Sequence, residues 1–198
     1  MDHRNDAALE FLANRRSHPP RLLREPGPDR TEVAQLLTLA ARAPDHGKLE
    51  PWRFLVLERA ALDHLAPLVR QEALAAGQDA AGAEKAASAF ASPVIVAVIS
   101  TPVDSPKVPE WEQFLSAGAV CLGLVNAALA SGWGAAWLTG LAALNPGFGR
   151  AHLGLAEGER IVGLVHLGTR GETPPERPRP DIAAKTSYLD IPGTGAAA

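Results

Sequence analysis

The sequence contains one cysteine among 198 residues, which excludes an intramolecular disulfide and is typical of a reducing compartment. It has no basic excess, since 19 lysines and arginines stand against 22 acidic residues, and the net charge of −3 argues against a nucleic-acid partner. No uninterrupted apolar run approaches the ~18 residues of a membrane span, and the acidic N-terminus lacks the apolar region of a signal peptide. We therefore expect a cytoplasmic protein without a membrane or nucleic-acid partner.

The length and the 46% hydrophobic content indicate one globular domain over residues 1–198, with an extended or loosely ordered segment from about residue 170 onward. Apolar spacing predicts helices over residues 7–16, 29–43, 59–76, 109–131 and 145–154, and a weakly amphipathic, alanine-rich segment over 79–90. Short apolar runs predict strands over residues 53–58, 93–99, 135–139 and 160–167, with the first buried and the second central. This pattern is typical of an α+β protein, a sheet covered by helices.

Two guanidinium groups and a hydroxyl follow the first predicted helix, at Arg15, Arg16 and Ser17. Arginine offers a planar fork of donors that suits a phosphate. Alternatively, the basic residues complement the C-terminal end of the helix dipole. Spacing alone favours this second, structural interpretation.

A turn links the second predicted helix to the first strand. Pro44 discourages helical geometry at the residue before it, so the helix ends there and the chain turns through residues 45–47. Arg42 either complements the helix dipole or faces a ligand, and His46 either bonds its own backbone or contacts that ligand.

The third candidate segment is Trp137, Leu138 and Thr139, which follows a glycine-rich turn that permits close backbone approach. It would provide a flat apolar wall for a ring, although core packing is the commoner role of a strand tryptophan. The helix over 109–131 carries small residues on one face, which suits either a dimer interface or an internal helix. The sequence offers no nucleophile motif, P-loop or metal-ligand set, so the chemistry would have to reside on a cofactor.

Four motifs occur in a fixed order along most of the chain, from about residue 8 to 169. They are 14–17 (NRRS), 42–46 (RAPDH) with 51–52 (PW), 107–113 (KVPEWEQ) with 116–118 (SAG), and 132–140 (GWGAAWLTG). In this order they resemble the nitroreductase family of flavin enzymes, and the likeness is closest to its small, single-domain subgroup of NAD(P)H nitroreductases.

The resemblance implies a nitroreductase-like fold, with a central, mostly antiparallel sheet flanked by helices, in an intertwined homodimer. It implies FMN at the subunit interface, where one subunit's Arg-Arg-Ser region meets the other subunit's turn and strand. It implies a two-step (ping-pong) transfer of hydride from NAD(P)H through FMN to nitroaromatic, quinone or similar acceptors, without a catalytic side chain or a metal. The cofactor-binding residues carried over are Arg15, Arg16, Ser17, Arg42, His46, Trp137, Leu138 and Thr139.

The sequence departs from the family pattern at three positions, which affects the expected acceptor preference and redox tuning. Lys48 and Glu50 stand where the larger family has asparagine and glutamine, and Leu138 stands where close relatives can carry arginine. Two alternatives remain open at this stage: a non-redox flavin-handling protein of the same fold, and a cofactor-free interaction module. No residue that would select NADH over NADPH can be assigned.

Overall fold

The computed structural model describes residues 3–189, without the side chains of residues 142 and 144. The helices are α1 (Asp6–Asn14), α2 (Arg30–Ala40), α3 (Arg59–Ala75), α4 (Ala80–Ser88), α5 (Glu110–Ala130), α6 (Gly140–Leu144) and α7 (Pro146–His152). The strands are β1 (Leu23–Arg24), β2 (Trp52–Leu57), β3 (Val94–Ser100), β4 (Gly134–Leu138) and β5 (Arg160–Arg170).

The sheet is antiparallel at every pairing, with β3 between β2 and β5, and both β1 and β4 also pair with β5. All seven residues of β3 are buried, which confirms the prediction of a central strand. The prediction that β2 is buried is wrong, because five of its six residues are only half-buried. As an edge strand, β2 pairs with β3 alone and keeps one side open.

Each face of the sheet carries its own hydrophobic core. On one face, α2 and α5 pack against Val96, Val98 and Val165. On the other face, α3 and α7 pack against Ile95, Ala97 and Leu164. Because side chains alternate along a strand, neighbouring residues of β4 also point to opposite faces, and this separates Trp137 from Leu138.

Two helices begin at residues whose side chains cap the first backbone N–H groups. The Asp29 side chain accepts a hydrogen bond from Glu32 N, and the Glu32 side chain accepts one from Asp29 N, each at 2.9 Å. Asn145 likewise accepts from the backbone of Gly147 and Phe148 ahead of α7. Both arrangements satisfy backbone N–H groups that a helix start would otherwise leave unpaired.

The end of α2 and two short elements differ from the sequence prediction. Helix α2 ends at Ala40, so Arg42 lies beyond the helix rather than in its last turn. Pro67 lies within α3, which continues through it as one helix, and α6 and β1 were not predicted. Elements of five and two residues are too short to show a hydrophobic period.

Helix α5 is long and apolar enough to cross a membrane by length and composition, with a mean hydropathy of 1.6 over 18 residues. Half of that window is buried inside the protein. Its inner face, which includes Val120, Cys121 and Leu124, packs on the sheet with no exposed surface. This is the burial of a core helix, and the sequence-based expectation of no membrane span remains a prediction.

Beyond Arg170 the described chain contains only the short 3₁₀ helix Ala183–Lys185 as regular structure. Arg16 Nη2 donates to Pro175 O at 2.5 Å and connects this segment to the end of α1. Residues 190–198 lie outside the described residues, so the prediction of a loosely ordered tail cannot be compared there.

Candidate functional site

A cavity of about 540 Å³ lies where α1 ends, and it is lined by Arg15, Arg16, His18 and Arg170. Helix α1 stops at Asn14, and the chain then runs alongside β4, where His18 N donates to Ala135 O at 2.8 Å. The last turn of α5 and the residues after β5 complete the cavity wall. Residues distant in sequence thus place three guanidinium groups around one cavity, which we call the cationic pocket.

Several nitrogen atoms of this pocket are buried and unused. Arg15 Nε, Arg16 Nε and His18 Nδ1 have no hydrogen-bond partner among the described residues. Burial, followed by the charges of Arg170 and Arg16, lowers the pKa of His18, so its ring stays neutral at neutral pH. Buried donors without partners are costly, and an anion with several oxygens would satisfy them. The pocket therefore fits a phosphate group, and Ser17 Oγ, 3.3 Å from Arg15 Nη2, lies beside it.

Arg170, like His18, is a pocket residue that the sequence reasoning missed. It is the last residue of β5, three positions beyond the predicted end of that strand. Its guanidinium donates to Leu129 O and, at 3.1 Å, to Trp133 O, so it also closes the C-terminal end of α5. The available signal was an arginine directly after an apolar strand, but nothing local indicated that it would meet the end of α1.

The turn that carries His46 is fixed against α5. His46 Nδ1 lies 2.7 Å from Glu112 Oε1 in the first turn of α5, and Ser116 Oγ donates to Pro44 O at 2.5 Å. Lys48 and Glu50 have left-handed backbone conformations, with φ of 55° and 48°, which residues other than glycine rarely adopt. Such strain persists only where surrounding contacts hold the backbone in place. The contacts with α5 therefore fix the direction of the side chains in this turn.

Arg42, in the same turn, is exposed and has no side-chain hydrogen bond or ion pair within the described residues. The cationic pocket contains no residue of the turn over 42–48. A separate cavity of about 430 Å³ lies at this turn and includes Asp45, Lys48 and Glu50. Within a single subunit, Arg42 and His46 therefore do not lie in the same cavity as Arg15 and Arg16.

Trp137 lies flat across the neighbouring strand. A Cβ atom placed on Gly163 of β5 would come within 2.0 Å of the indole Nε1, so only glycine leaves room for this ring. The far edge of the indole faces Gly118 of α5, where a Cβ would lie 3.8 Å from Cη2. Trp137 still exposes 39% of its surface, so it is both packed and available to a ligand.

Leu138 ends the same strand on the opposite face of the sheet from Trp137, and Thr139 follows it as the residue before α6. They line a cavity of about 800 Å³ beneath α4, and Leu138 is 37% exposed. The predicted site residues are thus arranged in three groups: the cationic pocket, the turn over 42–48, and the end of β4. Strand β4 connects the first group to the third, because its start is bonded to the segment after α1.

Residues 3–189 do not support a metal site or a reactive cysteine. No group of three histidine, cysteine or acidic side chains there could hold a metal ion. Burial raises the pKa of Cys121 to about 12, so this thiol stays protonated and unreactive at neutral pH.

The fold and pocket define an α+β protein with an antiparallel sheet and a cationic pocket at the end of its first helix. The chain belongs to the nitroreductase family, because the sequence pattern of that family matches its residues 12–169. It is 36% identical over 186 residues to a protein of Escherichia coli named "Putative NAD(P)H nitroreductase YdjA", with 93% of this chain and 94% of the relative covered.

Solved structures share this fold. A nitroreductase-like protein of Bacillus cereus aligns with a TM-score of 0.78 at 22% identity, covering 96% of this chain and all of the other. A nitroreductase with bound FMN from Bacteroides fragilis aligns with a TM-score of 0.70 at 21% identity, covering 94% of this chain and all of the other. The predicted α+β, nitroreductase-like fold is therefore confirmed.

Proposed function

We propose that this protein is an FMN-dependent oxidoreductase that transfers hydride from NAD(P)H to nitroaromatic, quinone or similar acceptors in two steps. The observation that carries the proposal is the cationic pocket, whose buried nitrogen atoms fit the FMN phosphate. The name of the Escherichia coli relative supports NAD(P)H as the cosubstrate. The FMN bound by the Bacteroides fragilis protein supports the choice of flavin.

Each group of candidate residues has a physical role in this proposal. Arg15, Arg16 and Ser17 hold the phosphate, and Arg170 and His18 extend that pocket. Bound FMN supplies the hydride chemistry, so no side chain has to act as a nucleophile.

The other two groups orient the flavin and shield it from water. Arg42 and His46 contact its pyrimidine edge or its ribityl chain, and the hydrogen bond from His46 to Glu112 fixes the direction of the imidazole ring. At the end of β4, Trp137 offers the flavin an apolar wall on one face of the sheet, and Leu138 and Thr139 lie beside it along the chain and line the cavity on the other face.

We propose a homodimer because an apolar stripe on α5 lacks a partner in the described chain. Trp111 and Leu115 expose 65% and 63% of their surface, and Leu122 continues the stripe on the same helix face. A second copy would cover this stripe and bring its own Arg42 and His46 to the cationic pocket. Leu115→Lys should therefore yield monomers in sedimentation velocity, whereas Leu74→Lys, at an exposed leucine of α3, should not. A dimer that survives Leu115→Lys would contradict this interface.

We further propose that the protein acts as one cytoplasmic domain without a nucleic-acid or membrane partner. This fits its single cysteine, its balanced charge and the burial of half of the apolar window in α5. Lys48 and Glu50 line the cavity beside Trp52, so they are positioned to influence which acceptor the turn admits.

The test of this function is the oxidation of NADH and NADPH by the purified protein, with a quinone or a nitroaromatic as acceptor. We expect turnover that requires both a nicotinamide nucleotide and FMN. Bound flavin without turnover for either nucleotide would favour a flavin-handling protein. A protein that binds no flavin at all would instead favour an interaction module.

A further inference from the structure

The cavity beneath α4 is an apolar space between the sheet and the helices α3, α4 and α6. It measures about 800 Å³, and its walls include Val69, Ala86, Phe90, Leu138 and Leu164. The composition of α4 explains the space, because this helix consists largely of alanine and glycine and offers few side-chain atoms to fill it. A cavity of this size and apolar character is typical of small-molecule sites.

Of the polar side chains in the lining, Gln78, Lys85 and Thr139 are exposed to solvent, whereas His166 is fully buried. His166 of β5 has no exposed surface, and its Nδ1 lies 3.0 Å from the Oγ of the equally buried Ser92. Its Nε2 is buried and has no hydrogen-bond partner among the described residues. Burial lowers the pKa of His166 to about 4, so the ring is neutral at pH 7. A buried nitrogen without a partner is costly, and a ligand that pairs with it would remove this cost.

The chemistry of this nitrogen selects the polar group of the ligand. A neutral imidazole carries one N–H group. Either Nδ1 carries the hydrogen and donates to the serine hydroxyl, or Nε2 carries it and the hydroxyl donates to Nδ1. Nε2 is therefore an acceptor in the first case and a donor in the second. A hydroxyl group can pair with Nε2 in both cases, because it donates and accepts. A charged group would lose its hydration in these apolar surroundings, so the buried end of the ligand is uncharged.

We propose that this cavity is a binding site for an uncharged aromatic molecule with one hydroxyl group, such as a phenol, whose hydroxyl pairs with His166 Nε2. Leu138 and Thr139 form part of the wall, so the ligand lies next to the end of β4. Its polar contact nevertheless lies on the opposite face of the sheet from Trp137. The proposal depends on the cavity and His166 and does not require the flavin chemistry proposed above.

The proposal is tested by calorimetry, in which the FMN-saturated protein is titrated separately with naphthol and with naphthalene. The two probes differ by one hydroxyl group. We expect one site per chain and about tenfold tighter binding of naphthol, the effect of one good hydrogen bond. In His166→Asn, the shorter amide keeps a partner for Ser92 but lacks an atom at the Nε2 position. The two probes should then bind equally, although the variant remains folded.

A pair of substitutions in α4 locates the bound probe. Ala86→Phe fills the cavity and should abolish binding of both probes, while Ala81→Phe, at an exposed position of the same helix, should leave it unchanged. Absence of naphthol binding to the parent protein would overturn the proposal. So would equal affinity of the parent for the two probes, or binding that persists in Ala86→Phe.

Discussion

The contact between Trp137 and Gly163 predicts a specific effect of adding one methyl group. In Gly163→Ala, the new Cβ would lie 2.0 Å from Nε1, 2.4 Å from Cδ1 and 2.9 Å from Cε2 of the indole. All three distances are shorter than a carbon atom tolerates, and β5 is held by strands on both sides. The indole must therefore leave its place over the strand.

Two opposing terms set the magnitude. Replacing glycine by alanine lowers the entropy of the unfolded chain, which favours folding by about 0.4–1 kcal/mol. Overpacking of a buried contact costs about 1–3 kcal/mol, and here it displaces a whole indole ring, so the destabilising term dominates. For a domain of this size, each kilocalorie lowers the melting temperature by roughly 2–4 °C, so we expect a clear fall in thermal unfolding experiments.

The control is Gly118→Ala, which faces the other edge of the same indole. Its Cβ would lie at an ordinary 3.8 Å from Cη2, and alanine is favoured over glycine within a helix, so this variant should be as stable as the parent or more stable. Trp137→Leu should also cost less stability in the Gly163→Ala background than alone, because the overlap is already removed. Equal stability of Gly163→Ala and the parent would refute the described position of the indole.

Three further predictions concern stability. Asp29→Ala removes the capping box of α2 and should cost about 1 kcal/mol in urea unfolding, while Asp29→Ser should retain most of the stability. Leu124→Ala should cost about 2–5 kcal/mol by the same measurement, because Leu124 is fully buried; a loss well below this range would contradict its place in the core. The hydrogen bond from Arg53 lowers the pKa of Glu159 below its usual 4.5, so this carboxylate stabilises the fold above that pH and loses its effect as the pH falls further. The stability difference between the parent and Glu159→Gln should therefore close in acid, and a constant difference would contradict the ion pair.

Much of the fold follows from local sequence. The run over residues 93–99 is apolar at every position, so it predicted a central strand without any knowledge of its partners. The Asp29 capping box and the Asn145-Pro146 pair are local features of two helix starts, because caps depend only on residues within one turn.

The parts that sequence did not predict depend on distant residues. Arg170 joins the cationic pocket only because the end of β5 lies beside the end of α1. The edge position of β2 follows from strand order, which an apolar run does not encode. The orphaned nitrogen of His166 also depends on the packing of three separate segments and has no signature in sequence.

The central claim is that the cationic pocket binds the phosphate of FMN. Its most direct test compares FMN with riboflavin, which lacks the phosphate, by fluorescence titration of the parent protein, Arg15→Ala and Arg16→Ala. We expect the parent to bind FMN far more tightly, and each substitution to weaken FMN by about 10- to 100-fold with little effect on riboflavin. Arg21→Ala, a nearby exposed arginine that does not line the pocket, should change neither. A parent protein that binds no FMN, or binds both flavins equally, would contradict the account.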